Sequence, residues 1–273
     1  MKRFIPIAIG ILLLTLQSKG QEDWETYVLY IKDRPVSVMV DLGFANSSLA
    51  KQNQNVIIVS LRLGTVQKDG LPLAKDIRKL DTLENELVDQ LHSGLGAVYT
   101  GRYTSNGKRD FYFYTNDTSS CHSHVEKIVK PYQYRFTVLC KDDPQLSNYT
   151  YTLYPTQVEL QRIYNRRMID HLVKAGDQLT APRVVDHLLF FKTDDDRRKF
   201  AKEVIEKRFT VIGAGEEKGV KEQPFSLEIS RVDKVDEDSI EEVSLYLWEL
   251  ALKYGARYDG WETFVVKPGE QKE

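Results

Sequence analysis

Between Arg183 and Val266 the apolar residues switch repeatedly between strand and helix spacing, and this alternation constrains the fold more than any other feature. "RVVDHLLFF" alternates with period two and predicts a strand. "DDDRRKFAKEVIEK" predicts a helix opened by acidic residues, and "RFTVIGAG" a second strand. A charged loop, "EEKGVKEQ", leads to the strand "PFSLEISRV". "DEDSIEEVSLYLWELALKYG" places Ile240, Val243, Leu247 and Tyr254 on one helical face, and "RYDGWETFVV" closes the segment as a strand. The order β-α-β-β-α-β is that of the split βαβ, or ferredoxin-like, arrangement.

The first half repeats the theme. "WETYVLYI" and "VSVMVDLGF", which puts Val36, Val38 and Val40 on one side, form a hairpin across Asp-Arg-Pro. "NVIIVSLRLG" is a further strand. Leu73, Ile77, Leu80, Leu87 and Leu91 recur at helical spacing. "AVYTGRYTSNGKRDFYFYT" is a hairpin in which Asn106-Gly107 supplies the positive φ angles of a primed turn. A helix over about Asp117–Lys130 and the strand "YQYRFTVLC" follow. Leu160, Tyr164, Met168 and Leu172 mark a long helix over 156–178, expected to bridge two domains. An aromatic strand, a Thr- and Asp-rich cap, a helix and the letters Arg-Phe-Thr-Val occur at 111–138 and again at 188–211. The fold class is therefore α+β: two tandem ferredoxin-like units, antiparallel sheets with helices packed on one face.

Cys121, His122 and His124 crowd the first turn of the helix after "FYFYTNDTSS". His122 and His124 are two apart, a spacing at which helical side chains do not face each other. A closed zinc site wants four ligands, so no metal is expected. Cys121 and Cys140 are the two cysteines. In a right-handed β-α-β unit the strand end returns near the helix start, which makes a Cys121–Cys140 disulfide geometrically feasible. Closing such a loop would stabilise by about 3 kcal/mol on the chain-entropy model.

Other motifs carry less chemistry. Asp194, Asp195 and Asp196 read as helix-start residues, with Arg197 and Arg198 beside them. "GAGEEKG" follows a strand but opens onto a hairpin, so it fails the dinucleotide test. No G-x-S-x-G or H-E-x-x-H occurs. His92 reads as a helix-end residue, and His171 and His187 stand alone in structural positions. No pairing of nucleophile and base emerges, and no cofactor is expected. The most distinctive stretch is "GARYDGWETFVV". Gly260 suggests a bulge in the last strand. Trp261 either closes the core or joins Tyr258, Asp259 and Glu262 at a recognition surface.

The first 20 residues have Lys2 and Arg3, a short apolar run from Phe4 to Leu16, then small and polar residues. That is a secretory signal with a cut expected before Gln21, or else an uncleaved anchor. Export puts the cysteines in an oxidising compartment and the protein in the periplasm or outside the cell. No later segment has the length and apolarity of a membrane span. The charge count, 38 basic against 40 acidic, shows no excess of the kind that neutralises phosphates, so nucleic acid is not an expected partner. The expected organisation is a signal at 1–20, a domain at 21–155, the bridging helix at 156–178, a ferredoxin-like domain at 179–268 and a disordered tail at 269–273.

The segment from about Arg183 to Val266, with its Tyr-Asp-Gly-Trp-Glu ending, resembles the family of the regulator of ribonuclease E activity B. The segment from about Glu22 to Pro155, with "EDWETYVLYIKDRPVSVMVDLGF" and "YTLYPT", looks like the domain-of-unknown-function family numbered 695. The first resemblance implies a protein-binding module that inhibits a cytoplasmic RNA-degrading enzyme and has no chemistry of its own. An exported chain cannot meet that enzyme, so only the mode carries over. The expectation is an exported two-domain binding protein without catalysis and with an unidentified protein partner. The alternative is an envelope hydrolase with a site between the domains, in which Asp41, His171 or His187 would converge.

Overall fold

The computed structural model describes residues 22–217 and 219–269. The expected signal, its cut before Gln21, and residues 270–273 of the expected tail lie outside the described residues. The chain divides into two compact units between Thr156 and Gln157.

The N-terminal unit runs β1 (Trp24–Ile31), β2 (Arg34–Asp41), α1 (Ser48–Gln52), β3 (Asn55–Arg62), α2 (Ala74–Leu95), β4 (Val98–Ser105), β5 (Lys108–Thr115), α3 (Cys121–Val129) and β6 (Arg135–Asp142). Its sheet has the order β1-β2-β4-β5-β3-β6, antiparallel throughout. The portion β3-α2-β4-β5-α3-β6 is a ferredoxin-like unit, and the β1–β2 hairpin extends it along β4. The second hairpin turns at Asn106 and Gly107, with φ of 49° and 72°, as expected; the first turns at Lys32 and Asp33, with φ of 50° and 61°, rather than across Asp-Arg-Pro, because Arg34 and Pro35 already pair in β2.

The helix stripe explains one face. Leu80, Leu83, Leu87 and Leu91 of α2 and Val125 and Val129 of α3 pack on Ile57, Val59, Leu61, Phe111 and Phe113. Ile77 lies outside this stripe and is 43% exposed. The opposite face is covered too, by a strap the sequence pattern does not reveal. Tyr149–Leu153 forms one π-helical turn. Phe44 packs on the rings of Tyr114 at 5.2 Å and Tyr149 at 5.4 Å. The Tyr114 hydroxyl donates to Asp143 Oδ2 at 2.6 Å, and Tyr27 donates to the Leu153 carbonyl at 2.9 Å. Buried hydroxyls need such partners. Helices on one face alone is therefore a description that fits the ferredoxin-like core but omits this strap.

The C-terminal unit runs α4 (Gln157–Lys174), β7 (Arg183–Phe191), α5 (Asp194–Glu206), β8 (Thr210–Glu216), β9 (Phe225–Asp233), α6 (Glu237–Lys253) and β10 (Arg257–Thr263). Its sheet order is β10-β7-β9-β8, again antiparallel and again the ferredoxin-like arrangement. Thr193 caps α5 by accepting from the Asp196 N–H at 3.1 Å, and Asp236 caps α6 through the Ser239 N–H at 3.3 Å. Both helices cover one sheet face, where Phe200, Val204, Leu247 and Leu250 meet Leu189, Phe191, Leu227 and Ile229. The helix α4 belongs to this unit's core: Ile169 and Leu172 pack with Val185, Val235, Ile240 and Trp261.

The recurrence seen in the sequence has a topological meaning. It matches β5-α3-β6, the second half of one unit, to β7-α5-β8, the first half of the other. What repeats is the βαβ half-unit, out of phase between the two domains.

Candidate functional site

The distinctive segment of β10 owes its form to Gly260. The pairing of β10 with β7 shifts register between Tyr258 and Trp261, and Gly260 takes φ of 103°. In an unbroken strand residues three apart point to opposite faces. The extra residue of the bulge lets both Tyr258 and Trp261 point into the helix-covered core, where they are 8% and 7% exposed. Asp259 and Glu262 project from the other face, half-buried. The structure thus splits the four expected site residues into two core aromatics and two carboxylates on the uncovered face.

Tyr258 closes a buried polar pair. Its hydroxyl lies 2.8 Å from His187 Nδ1, and the His187 ring packs edge-on against Phe209 at 5.8 Å. Burial, and then the charge of Arg231, push His187 down from 6.5 to about 3. The imidazole is therefore neutral in the folded unit. A histidine whose folded pKa is depressed favours folding above its ordinary pKa and loses that contribution as pH falls. The C-terminal unit is expected to lose about 1.4 kcal/mol per pH unit on acidification from near 6.5 toward 4. Melting curves across that range would show it, and His187→Gln should flatten the dependence.

The uncovered face follows from the register. Val184, Asp186 and Leu188 of β7 alternate with the core residues Val185, His187 and Leu189. Their neighbours on β9 are Val232, Ser230 and Glu228. A shallow groove lies at one end, lined by Val184, Lys207, Arg208, Thr210, Ile212 and Val232 among others. Val232 is 62% exposed, Ile212 51% and Val184 43%. Arg208 has φ of 67°, a left-handed conformation that costs a non-glycine residue about 1 kcal/mol. It follows the end of α5 and lines the groove, where a glycine would have served the turn alone.

Beside the groove lies an acidic patch. Glu262 pairs directly across from Asp186, and Glu228 sits opposite Leu188 on the next strand. Burial, and then the charges of Asp186 and Glu228, push Glu262 above the usual carboxylate range. Burial likewise raises Asp259, against the pull of Arg257 at 3.4 Å. Asp186, Glu228 and Glu262 make no ion pair among the described residues. A carboxyl with a raised folded pKa supports folding below its ordinary pKa and opposes it as pH rises. Glu262→Gln is therefore expected to stabilise the unit at pH 7 by less than about 1 kcal/mol. That gain should vanish in acid, a difference visible in urea melts at the two pH values.

The remaining candidates sit elsewhere. Cys121 and Cys140 are joined as a disulfide between the first residue of α3 and β6, 19 residues apart in sequence. Asp41 shapes a turn by accepting from the Asp23 and Gly43 N–H groups at 2.8 and 2.9 Å. His171 is exposed on α4, and His92 Nδ1 lies 3.2 Å from the Ala97 carbonyl at the end of α2. Asp194 pairs with Arg197 and Arg198, and Asp195 with Lys199. Sequence reading missed the groove. The signal was present in the second alternating set of "RVVDHLLFF" and "PFSLEISRV", and required only the strand order to become a surface.

Comparison with known proteins adds a context to each unit. Residues 22–154 match the model of a family of unknown function (DUF695), and residues 162–263 that of the family described as Regulator of ribonuclease activity B. No curated protein matches the chain. The crystal structure of an unknown protein from Galdieria sulphuraria aligns with 78% of this chain and 100% of that one, at 9% sequence identity and a TM-score of 0.22. In chain order, then, a segment similar to the DUF695 model is followed by one similar to the model described as Regulator of ribonuclease activity B.

Proposed function

We propose that this chain is an exported two-domain binding protein that regulates a protein partner through the uncovered sheet face of its C-terminal unit, without catalysis. The observation that carries this reading is that face: exposed Val184, Ile212 and Val232 beside Asp186, Glu228 and Glu262, which make no ion pair among the described residues. Contiguous exposed apolar side chains rimmed by charge are a feature of contact surfaces. A regulator of ribonuclease activity, the family matched by residues 162–263, acts by name on a protein. The N-terminal basic and apolar segment supports export, so the partner here belongs to the periplasm or the exterior rather than to cytoplasmic RNA turnover. The described helices include none long and apolar enough to cross a membrane.

The test is affinity capture from an envelope extract with the full mature chain and with Val232→Glu. That position is exposed, so the fold should survive. The expected result is a protein retained by the parent and lost with the variant, from a polypeptide whose N-terminus begins at Gln21. Equal retention by both, or turnover of substrates in a broad hydrolase panel, would contradict the reading.

A further inference from the structure

The fold assembles a ligand set that the sequence spacing does not show. Cys121 begins α3 and Cys140 reaches it from β6, while His122 lies beside them. Both sulfurs and a ring nitrogen of His122 lie within 4.8 Å of one another. His122 and His124, two apart on one helix, do not face each other. The third donor comes instead from a strand, across the β-α-β return.

We propose that the reduced form of this protein binds a divalent zinc-class ion through Cys121 Sγ, Cys140 Sγ and His122, with water in the fourth position. Two thiolates and an imidazole are a donor set that tetrahedral zinc accepts, and an open fourth position is the arrangement of three-ligand sites. With zinc bonds of about 2.3 Å to sulfur and 2.0 Å to nitrogen, the donor atoms of such a site sit about 3.5–3.8 Å apart. The present set needs only local side-chain rotation to reach that spacing once the sulfurs are unlinked. The Cα atoms of Cys121 and Cys140 are 7.0 Å apart, just beyond the separations of about 4.4–6.8 Å that disulfides usually span. An interposed ion therefore asks for no closing of the backbone.

The surroundings suit the ion. Cys121 is 1% exposed and held against the core by Val125 and Ile128. Cys140 is half-buried and His122 exposed, which leaves a path from solvent. The His122 ring makes no hydrogen bond among the described residues, so it can turn toward the sulfurs. The start of α3 also favours the negative charge of a thiolate pair. Binding releases the two thiol protons. The ion and the disulfide need the same sulfurs, so they exclude one another.

The test uses the full mature chain, opened by a phosphine that takes the disulfide to two thiols and becomes the phosphine oxide with oxygen from water. After removal of the reductant under nitrogen, the protein is titrated with Co²⁺ as the spectroscopic substitute for zinc. The expected result is a saturable band set of one tetrahedral, sulfur-bound cobalt per chain, which zinc displaces. His122→Ala should bind at least about tenfold more weakly, while its oxidised form melts as the parent does. The oxidised parent should bind no cobalt. Absence of the sulfur-to-cobalt band, equal affinity in His122→Ala, or loss of far-ultraviolet circular dichroism on reduction would each overturn the proposal.

Discussion

Trp261→Ala should lower the stability of the C-terminal unit by about 3–5 kcal/mol, the range for emptying a large aromatic site. Trp261 is 7% exposed and packs with Ile169, Leu172, Val185, Val235 and Ile240. Its indole Nε1 donates to Asn165 Oδ1 at 3.0 Å, and Asn165 Nδ2 donates to Ser244 Oγ at 2.7 Å. One side chain thus ties β10 to α4 and, through Asn165, to α6. Truncation leaves a cavity and removes one of two donors to Asn165 Oδ1, which keeps the Gln161 Nε2 donor at 3.1 Å. For a unit of this size the melting temperature should fall by more than about 10 °C. Trp261→Phe keeps most of the volume and loses the hydrogen bond while Asn165 Oδ1 keeps Gln161, so its cost should be about 0.5–1.5 kcal/mol. An unchanged melting transition in Trp261→Ala would show that the ring is not in the core, and with it that the Gly260 bulge does not set the facing of β10.

Asp177→Asn should be comparably damaging, at about 3–5 kcal/mol, because it strands a buried cation. Asp177 and Arg183 form an ion pair with side chains 0% and 1% exposed. Asp177 Oδ2 also accepts from the Val266 N–H at 2.7 Å, and Arg183 donates to the Gln178 carbonyl at 2.5 Å and the Phe264 carbonyl at 3.2 Å. The pair fastens the segment after β10 to the start of β7. Asparagine preserves shape but not charge, so the loss reports the electrostatic part. Combining Asp177→Asn with Arg183→Met should cost less than the sum of the two single changes, since the second removes the cation left unpaired by the first. Additive costs in urea melts would place the two side chains apart.

The fold was legible where one physical rule acted alone. Period two gave the strands, Asn106-Gly107 gave its hairpin, and Thr193 and Asp236 gave helix starts, because each rests on local backbone chemistry. The strap over the N-terminal sheet was not legible: Tyr149–Leu153 has no repeating pattern, and its place depends on hydrogen bonds to Asp41, Tyr114 and Tyr27 far away in sequence. The helix over 156–178 read as a bridge because its apolar stripe names no partner, whereas its Ile169 and Leu172 serve the C-terminal core. Asp259 and Glu262 stand on the uncovered face, but Tyr258 and Trp261 are turned inward by one glycine. The apolar groove of Val184, Ile212 and Val232 needed the order β10-β7-β9-β8 to bring three strands together.

The most direct test of the account places a photo-reactive residue at Val232, on the uncovered face, and in a second strain at Lys202, exposed on α5 behind the sheet. After illumination of living cells, Val232 should yield one discrete crosslinked protein in the envelope fraction and Lys202 should not. Crosslinks of equal yield from both positions, or none from Val232, would contradict contact through that surface.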